Sequence, residues 1–125
     1  KAGEVALSPG MKYKHYAPRT ELLLLDADIE KTREFIVSEN LSGVAIIAYD
    51  EDIDYLKEKI PHAFYYSFGK KNDEEKQAHE LFSILRDTDN RNFKKIYAPL
   101  PRISGIGLAL YNRMIRAAAH NIINL

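Results

Sequence analysis

The chain has 125 residues, room for one domain, and its 46% hydrophobic and 29% charged residues are the mix of an ordinary globular fold. Eighteen Lys and Arg balance eighteen Asp and Glu, so no global field draws it to nucleic acid or to an anionic membrane. Cysteine is absent, which removes disulfides, thiolate nucleophiles and cysteine-bound metal together and fits a cytoplasmic origin.

No apolar run approaches the roughly 18 residues of a membrane span, and no signal-peptide core opens the chain. The sequence begins on Lys1 rather than Met, and we expect it to be part of a longer protein. Residues 1–20 read as an arm rather than a folded element. Gly3, Pro9, Gly10 and Pro18 interrupt them, and each proline removes a backbone donor and biases the preceding residue towards extended geometry. Lys1, Lys12, Lys14 and Arg19 face only Glu4. A basic, tyrosine-bearing arm with little aliphatic content has to lie on another surface.

From Glu21 to Leu125 the texture becomes a regular alternation. Leu22–Leu25 predicts a strand, with Asp26 and Asp28 as cap candidates for a helix running to about Glu39. Val44–Tyr49 predicts a second strand, followed by a helix over 50–60 with Ile53, Leu56 and Ile60 on one face. Ala63–Phe68, closed by Gly69, predicts a third. Asn72 and Glu75 then resemble a capping box, and Ala78, Leu81, Phe82 and Leu85 form a helical stripe. Lys95–Pro99 predicts a fourth strand, and Ser104 is the cap candidate of a helix marked by Ile106, Leu110 and Met114. Asn121–Leu125 is a marginal fifth strand or a frayed end. Strand–helix units in series imply a mostly parallel sheet of four to five strands with helices on both faces. The flavodoxin-like pattern suggests the strand order 2-1-3-4.

Ligands of such sheets bind beyond the carboxyl ends of the strands. The candidates there are Asp26 and Asp28; Tyr49 with Asp50 and Glu51; Ser67 to Lys71; and Pro99 to Gly107. The paired acids resemble receiver-domain metal ligands, but the third strand ends in Ser67-Phe68-Gly69, without a phosphoryl-accepting Asp, so helix capping is the better reading. Gly105 and Gly107 before the last helix are a weak phosphate signal without a third glycine. Asn112, Arg113 and Arg116 share the last helix and read first as solvated surface. His62, His79 and His120 have no metal-ligand spacing. These residues alone name no catalytic group and no metal site.

The arm carries more. Ser8-Pro9-Gly10-Met11-Lys12-Tyr13-Lys14-His15-Tyr16-Ala17-Pro18 resembles the linker S-x-G-x-x-x-x-H-Y-A-P of the two-domain L-threonylcarbamoyl-adenylate synthases. Ala78…Leu81-Phe82…Leu85-Arg86…Asp89 and Gly105-x-Gly107-x-Ala109-x-x-Asn112-Arg113…Ala117-Ala118 are similar to that family's C-terminal helices.

The resemblance implies a Rossmann-like three-layer domain over residues 21–125, led by an interdomain linker that crosses the opening of an N-terminal site. It implies that a YrdC-like domain, absent from these residues, condenses threonine, bicarbonate and ATP, with Mg, into threonylcarbamoyl-adenylate and pyrophosphate for tRNA threonylcarbamoyladenosine biosynthesis. Ser8, Gly10, His15 and Tyr16 are then the lid positions that approach substrate, with Lys12 and Lys14 offsetting phosphate charge and Tyr13 or Tyr16 packing on a planar group. Gly105, Gly107, Asn112 and Arg113 are a ligand or interdomain surface. The partner is the N-terminal domain of the same chain, with no direct nucleic-acid or membrane contact. No cofactor is expected in this part, which alone should not catalyse the adenylation. Two alternatives are an independent α/β module sensing a nucleotide or phosphate near Gly105 and Arg113, and a domain serving dimerisation or partner binding.

Overall fold

A computed structural model describes residues 20–101 and 106–125. Five strands and four helices alternate: β1 (Glu21–Asp26), α1 (Ile29–Glu39), β2 (Val44–Ala48), α2 (Asp50–Lys59), β3 (Phe64–Ser67), α3 (Glu74–Asp89), β4 (Lys95–Pro99), α4 (Ile106–Ala117) and β5 (Ile122–Asn124). Every strand pairing is parallel, and the sheet order is β3-β2-β4-β1-β5.

The suggested order 2-1-3-4 is therefore wrong. The crossover from β1 to β2 skips one strand position, and β4 returns to fill it, with Leu23 and Ile46 both in register with Tyr97. Ile96, Tyr97 and Ala98 are accordingly at most 3% exposed. The marginal C-terminal segment is a strand, pairing Leu24 with Ile122 and Leu25 with Ile123.

Alternate residues of the central strands feed two cores, the period-2 consequence of a pleated strand. Leu22, Leu24, Ala45, Ile47, Ile96 and Ala98 pack with Leu81 and Leu85 of α3 and with Leu110 and Met114 of α4. Leu23, Leu25, Val44, Ile46 and Tyr97 pack with Ile36 of α1 and Leu56 of α2. Thus α1 and α2 cover one face and α3 and α4 the other. The chain advances towards β3 with helices on the first face and returns towards β5 with helices on the second. Reversing both direction and face keeps all four crossovers of one hand.

Local chemistry sets the helix ends. Asp28 caps α1, accepting from the Lys31 amide at 2.8 Å, so of the two cap candidates only the second acts. Asn40 ends α1 in the left-handed region at φ 50°, returning its N–H to the Ile36 and Val37 carbonyls. At α3 the cap is Asp73, not Asn72. Its carboxylate accepts from the Lys76 amide at 3.1 Å, so the proposed box with Glu75 is not formed. An Asp one residue later offers the same reach with a full negative charge against the helix dipole.

Candidate functional site

The candidate residues separate into three places. Ser8, Gly10, Lys12, Tyr13, His15 and Tyr16 lie outside the described residues, as do Ser104 and Gly105. Gly107 lies in the first turn of α4. Asn112 and Arg113 face a groove between α3 and α4, on the face of the sheet away from α1 and α2.

That groove has a volume of about 310 Å³ and is lined by Leu81, Phe82, Leu85, Asn112, Arg113 and Arg116 among others. The Arg113 guanidinium lies 5.3 Å from the centroid of the Phe82 ring, a cation–π arrangement. Arg113 is therefore held against an apolar wall rather than aimed at the strand carboxyl ends.

The second concavity does lie at those ends. It has a volume of about 360 Å³ and opens above β4, between the N-termini of α1 and α2. Topology makes it. The chain leaves β1 and β2 towards α1 and α2 on one face, but leaves β4, between them, towards α4 on the other. Leu25, Ile46, Leu56 and Tyr97 form an apolar floor, and Asp26, Asp28, Thr32, Asp52 and Lys71 bring polar groups to its wall and rim.

One side of this crevice is held by a clamp that joins the β3–α3 loop to α2. The Ser67 hydroxyl donates to Asp50 Oδ1 at 2.5 Å and accepts from the Gly69 amide at 3.2 Å, and the Asp50 amide donates to the Gly69 carbonyl at 2.9 Å. The Lys71 amide donates to Glu51, and its ammonium lies 3.3 Å from Asp52 Oδ1. From below, Gln77 donates to the carbonyls of Lys70 and Lys71. The candidate stretches Asp50–Glu51 and Ser67–Lys71 are thus brought together, chiefly to hold each other. Asp26 and Asp28 share the crevice rim, but Asp28 is engaged in capping.

Residue-by-residue reading missed Gln77. Its signal was its place on the stripe Gln77-Leu81-Leu85-Thr88, where a polar side chain on a buried face requires a partner. It also missed Thr32 and the floor residues, which topology rather than motif brings together.

A polar cluster sits at the opposite end of the sheet. The Lys95 ammonium lies 2.9 Å from Glu39 Oε1, and the Tyr97 hydroxyl donates to the same oxygen at 3.4 Å. Burial first, and then Glu39, pushes the Tyr97 hydroxyl up to about 12, so it remains a protonated donor at neutral pH. Among the described residues, no group of three or more His, Cys, Asp or Glu is placed to hold a metal ion, and no helix is long and apolar enough to cross a membrane.

A doubly wound, all-parallel α/β domain with an open crevice at its topological switch is the class that fold and site define. Within that class, the sequence model of the threonylcarbamoyl-AMP synthase C-terminal domain matches residues 1–119, and the chain belongs to this family.

It is 30% identical to the threonylcarbamoyl-AMP synthase of Pyrococcus abyssi over 135 residues, covering 100% of this chain and 36% of the relative. It is 31% identical to that of Bacillus subtilis over 127 residues, covering 96% of this chain and 34% of the relative. The chain thus spans about a third of the curated relatives it matches. Among solved structures it is similar to P. abyssi Sua5 complexed with L-threonine, with a TM-score of 0.69 at 29% identity, covering 100% of this chain and 36% of that one. A P. abyssi Sua5 variant with an adjacent His-Tyr pair changed to Ala aligns with a TM-score of 0.69 at 28% identity, covering 100% of this chain and 35% of that one.

Proposed function

We propose that this chain is the C-terminal accessory domain and lid linker of an L-threonylcarbamoyl-adenylate synthase acting in the cytoplasm. In the parent protein an N-terminal YrdC-like domain condenses threonine, bicarbonate and ATP, with Mg, into threonylcarbamoyl-AMP and pyrophosphate, a nucleotidyl transfer that serves tRNA threonylcarbamoyladenosine biosynthesis. The observation that carries the reading is a family match that begins at residue 1 and so includes the arm as well as the α/β domain. The L-threonine in the P. abyssi complex agrees with the amino-acid substrate. His15-Tyr16 is this chain's one His-Tyr dipeptide, and an adjacent pair of that kind was the one changed in the P. abyssi variant.

In this reading the arm does the chemistry-facing work and the α/β domain anchors it. The arm enters the sheet directly, since β1 begins at Glu21 and Thr20 is tied by its hydroxyl to the Phe93 carbonyl at 3.1 Å. A segment anchored at one end and ordered over a nucleotide excludes water from a labile carbamate or mixed anhydride.

The test measures threonylcarbamoyl-AMP and pyrophosphate formed from threonine, bicarbonate and ATP. The parent protein is expected to form both, its His15→Ala/Tyr16→Ala variant at least about tenfold less, a loss of roughly 1.4 kcal/mol of transition-state stabilisation, and residues 1–125 alone none. Turnover by residues 1–125 alone, or a double variant as active as its parent, overturns the proposal.

A further inference from the structure

We propose that the crevice above β4 is a binding site for an uncharged nucleoside, and that its rim selects against the corresponding nucleotide. The inference rests on this chain's own crevice and not on the synthase reading, so an inactive arm and an empty crevice are separate outcomes.

Size and floor come first. About 360 Å³ falls within the range of small-molecule pockets. Half-buried Ile29, Tyr49, Pro99 and Leu100 give it apolar walls against which a flat heterocycle can bury its faces, above a floor of four residues, Leu25, Ile46, Leu56 and Tyr97. Each of these four residues is at most 2% exposed, so the floor is part of the core and its shape is preset.

The rim decides which polar groups the ligand carries. Helix N-termini usually favour phosphate because their first amides point outward unpaired. Here three of those amides are already engaged. The Asp28 carboxylate already accepts from the Lys31 amide in α1 at 2.8 Å. In α2 the Asp50 amide donates to the Gly69 carbonyl and the Asp52 amide to the Tyr49 carbonyl, both at 2.9 Å.

Charge points the same way. The first turn of α2 holds Asp50, Glu51 and Asp52, and α1 is entered through Asp26 and Asp28. The cation on the crevice wall, Lys71, is drawn to Asp52 at 3.3 Å. A phosphate entering here meets carboxylates and, among the described lining residues, no cation other than the Lys71 already drawn to Asp52. Ribose hydroxyls, by contrast, are donors that carboxylates at strand ends accept well. An apolar planar body with a donor-rich, uncharged tail is nucleoside chemistry.

Calorimetric titration of the chain with adenosine and with AMP tests this, using Asp26→Asn and Thr32→Leu as variants. Asp26 is exposed, so its amide removes rim charge with the core intact; Thr32 lies on the crevice wall, where leucine narrows the space. Adenosine is expected to bind saturably at one site, with AMP at least about tenfold weaker through carboxylate–phosphate repulsion. Asp26→Asn should narrow that gap, and Thr32→Leu should abolish adenosine binding while leaving the thermal transition in place. No saturable heat with adenosine, AMP binding as tightly as adenosine, an unchanged ratio in Asp26→Asn, or adenosine binding retained in a folded Thr32→Leu each overturns the proposal.

Discussion

The Gln77 side-chain amide donates to the Lys70 carbonyl at 2.8 Å, from a position in α3 where the residue is only 1% exposed. The same nitrogen reaches the Lys71 carbonyl at 3.2 Å, so one buried group satisfies two loop carbonyls that no ladder serves. Replacing it with leucine keeps the volume but takes the side-chain donor from the Lys71 carbonyl and leaves the Lys70 carbonyl only the Asp73 amide, at 3.0 Å. Gln77→Leu is expected to cost about 1–3 kcal/mol in urea unfolding, the desolvation penalty of unpaired buried polar groups. It should also loosen the Lys71–Asp52 contact on the crevice wall, read as faster amide exchange at Lys71.

Gly69 holds the other end of the same loop. Its φ of +84° lies in the left-handed region, and a Cβ there meets the Lys76 side chain at 3.2 Å. The flexible Lys76 stem can move aside, so the backbone conformation sets the cost. Gly69→Ala is expected to lose about 1–2 kcal/mol. Because the Gly69 carbonyl receives the Asp50 amide, the loss should be accompanied by exchange at Asp50. A variant as stable as its parent refutes the strain argument.

The element pattern was legible because it rests on local periodicity. The LLLL and VAII runs gave doubly buried parallel strands, and Leu81, Leu85, Leu110 and Met114 marked the faces of α3 and α4 that pack on them. Strand order was not legible, because nothing in Lys95–Pro99 distinguishes an inserted central strand from an edge. The edge did leave a trace: β3 reads Phe-Tyr-Tyr-Ser, and its tyrosines keep half-buried rings with hydroxyls that reach Ile60 and Asp87. A general rule directed attention to the strand carboxyl ends, where the crevice lies, but its floor depends on β4 lying between β1 and β2. Asn112 and Arg113 were grouped with Gly105 and Gly107 on the resemblance of the last helix to the family's. Both Asn112 and Arg113 line the α3–α4 groove, on the face of the sheet away from the crevice helices α1 and α2.

Burial separates two apolar residues that the sequence treats alike. Leu24 is fully buried at the centre of the α3–α4 core, whereas Val37 on α1 is 46% exposed. Leu24→Ala is expected to cost about 2–5 kcal/mol, the transfer loss plus the cavity left behind. Val37→Ala should fall within about 0.5 kcal/mol of the parent. Urea midpoints of the two variants check both, and comparable losses would mean that the sheet face is not packed as described.

Two ion pairs set opposite pH limits. The Asp87 carboxylate receives the Tyr66 hydroxyl at 2.6 Å and Arg91 Nε at 3.0 Å, and these contacts, the Tyr66 bond foremost, hold its pKa below the usual value. A depressed carboxylate contributes stability that is complete above the unfolded pKa, about 3.9, and is lost as pH falls through the lower folded value. The Lys95 ammonium is raised instead, first by its hydrogen bond to Glu39. Its contribution is complete below the unfolded value of about 10.4 and is lost as pH rises through the higher folded one. Neither group titrates between these limits, so neither should give stability a slope around neutrality. Asp87→Asn is expected to flatten the acid limb of the urea midpoint against pH and leave the alkaline limb alone, and Lys95→Met to do the reverse. Both pairs are partly exposed, so the effects should be modest and shrink in high salt. An acid limb unchanged by Asp87→Asn assigns that slope to other carboxylates.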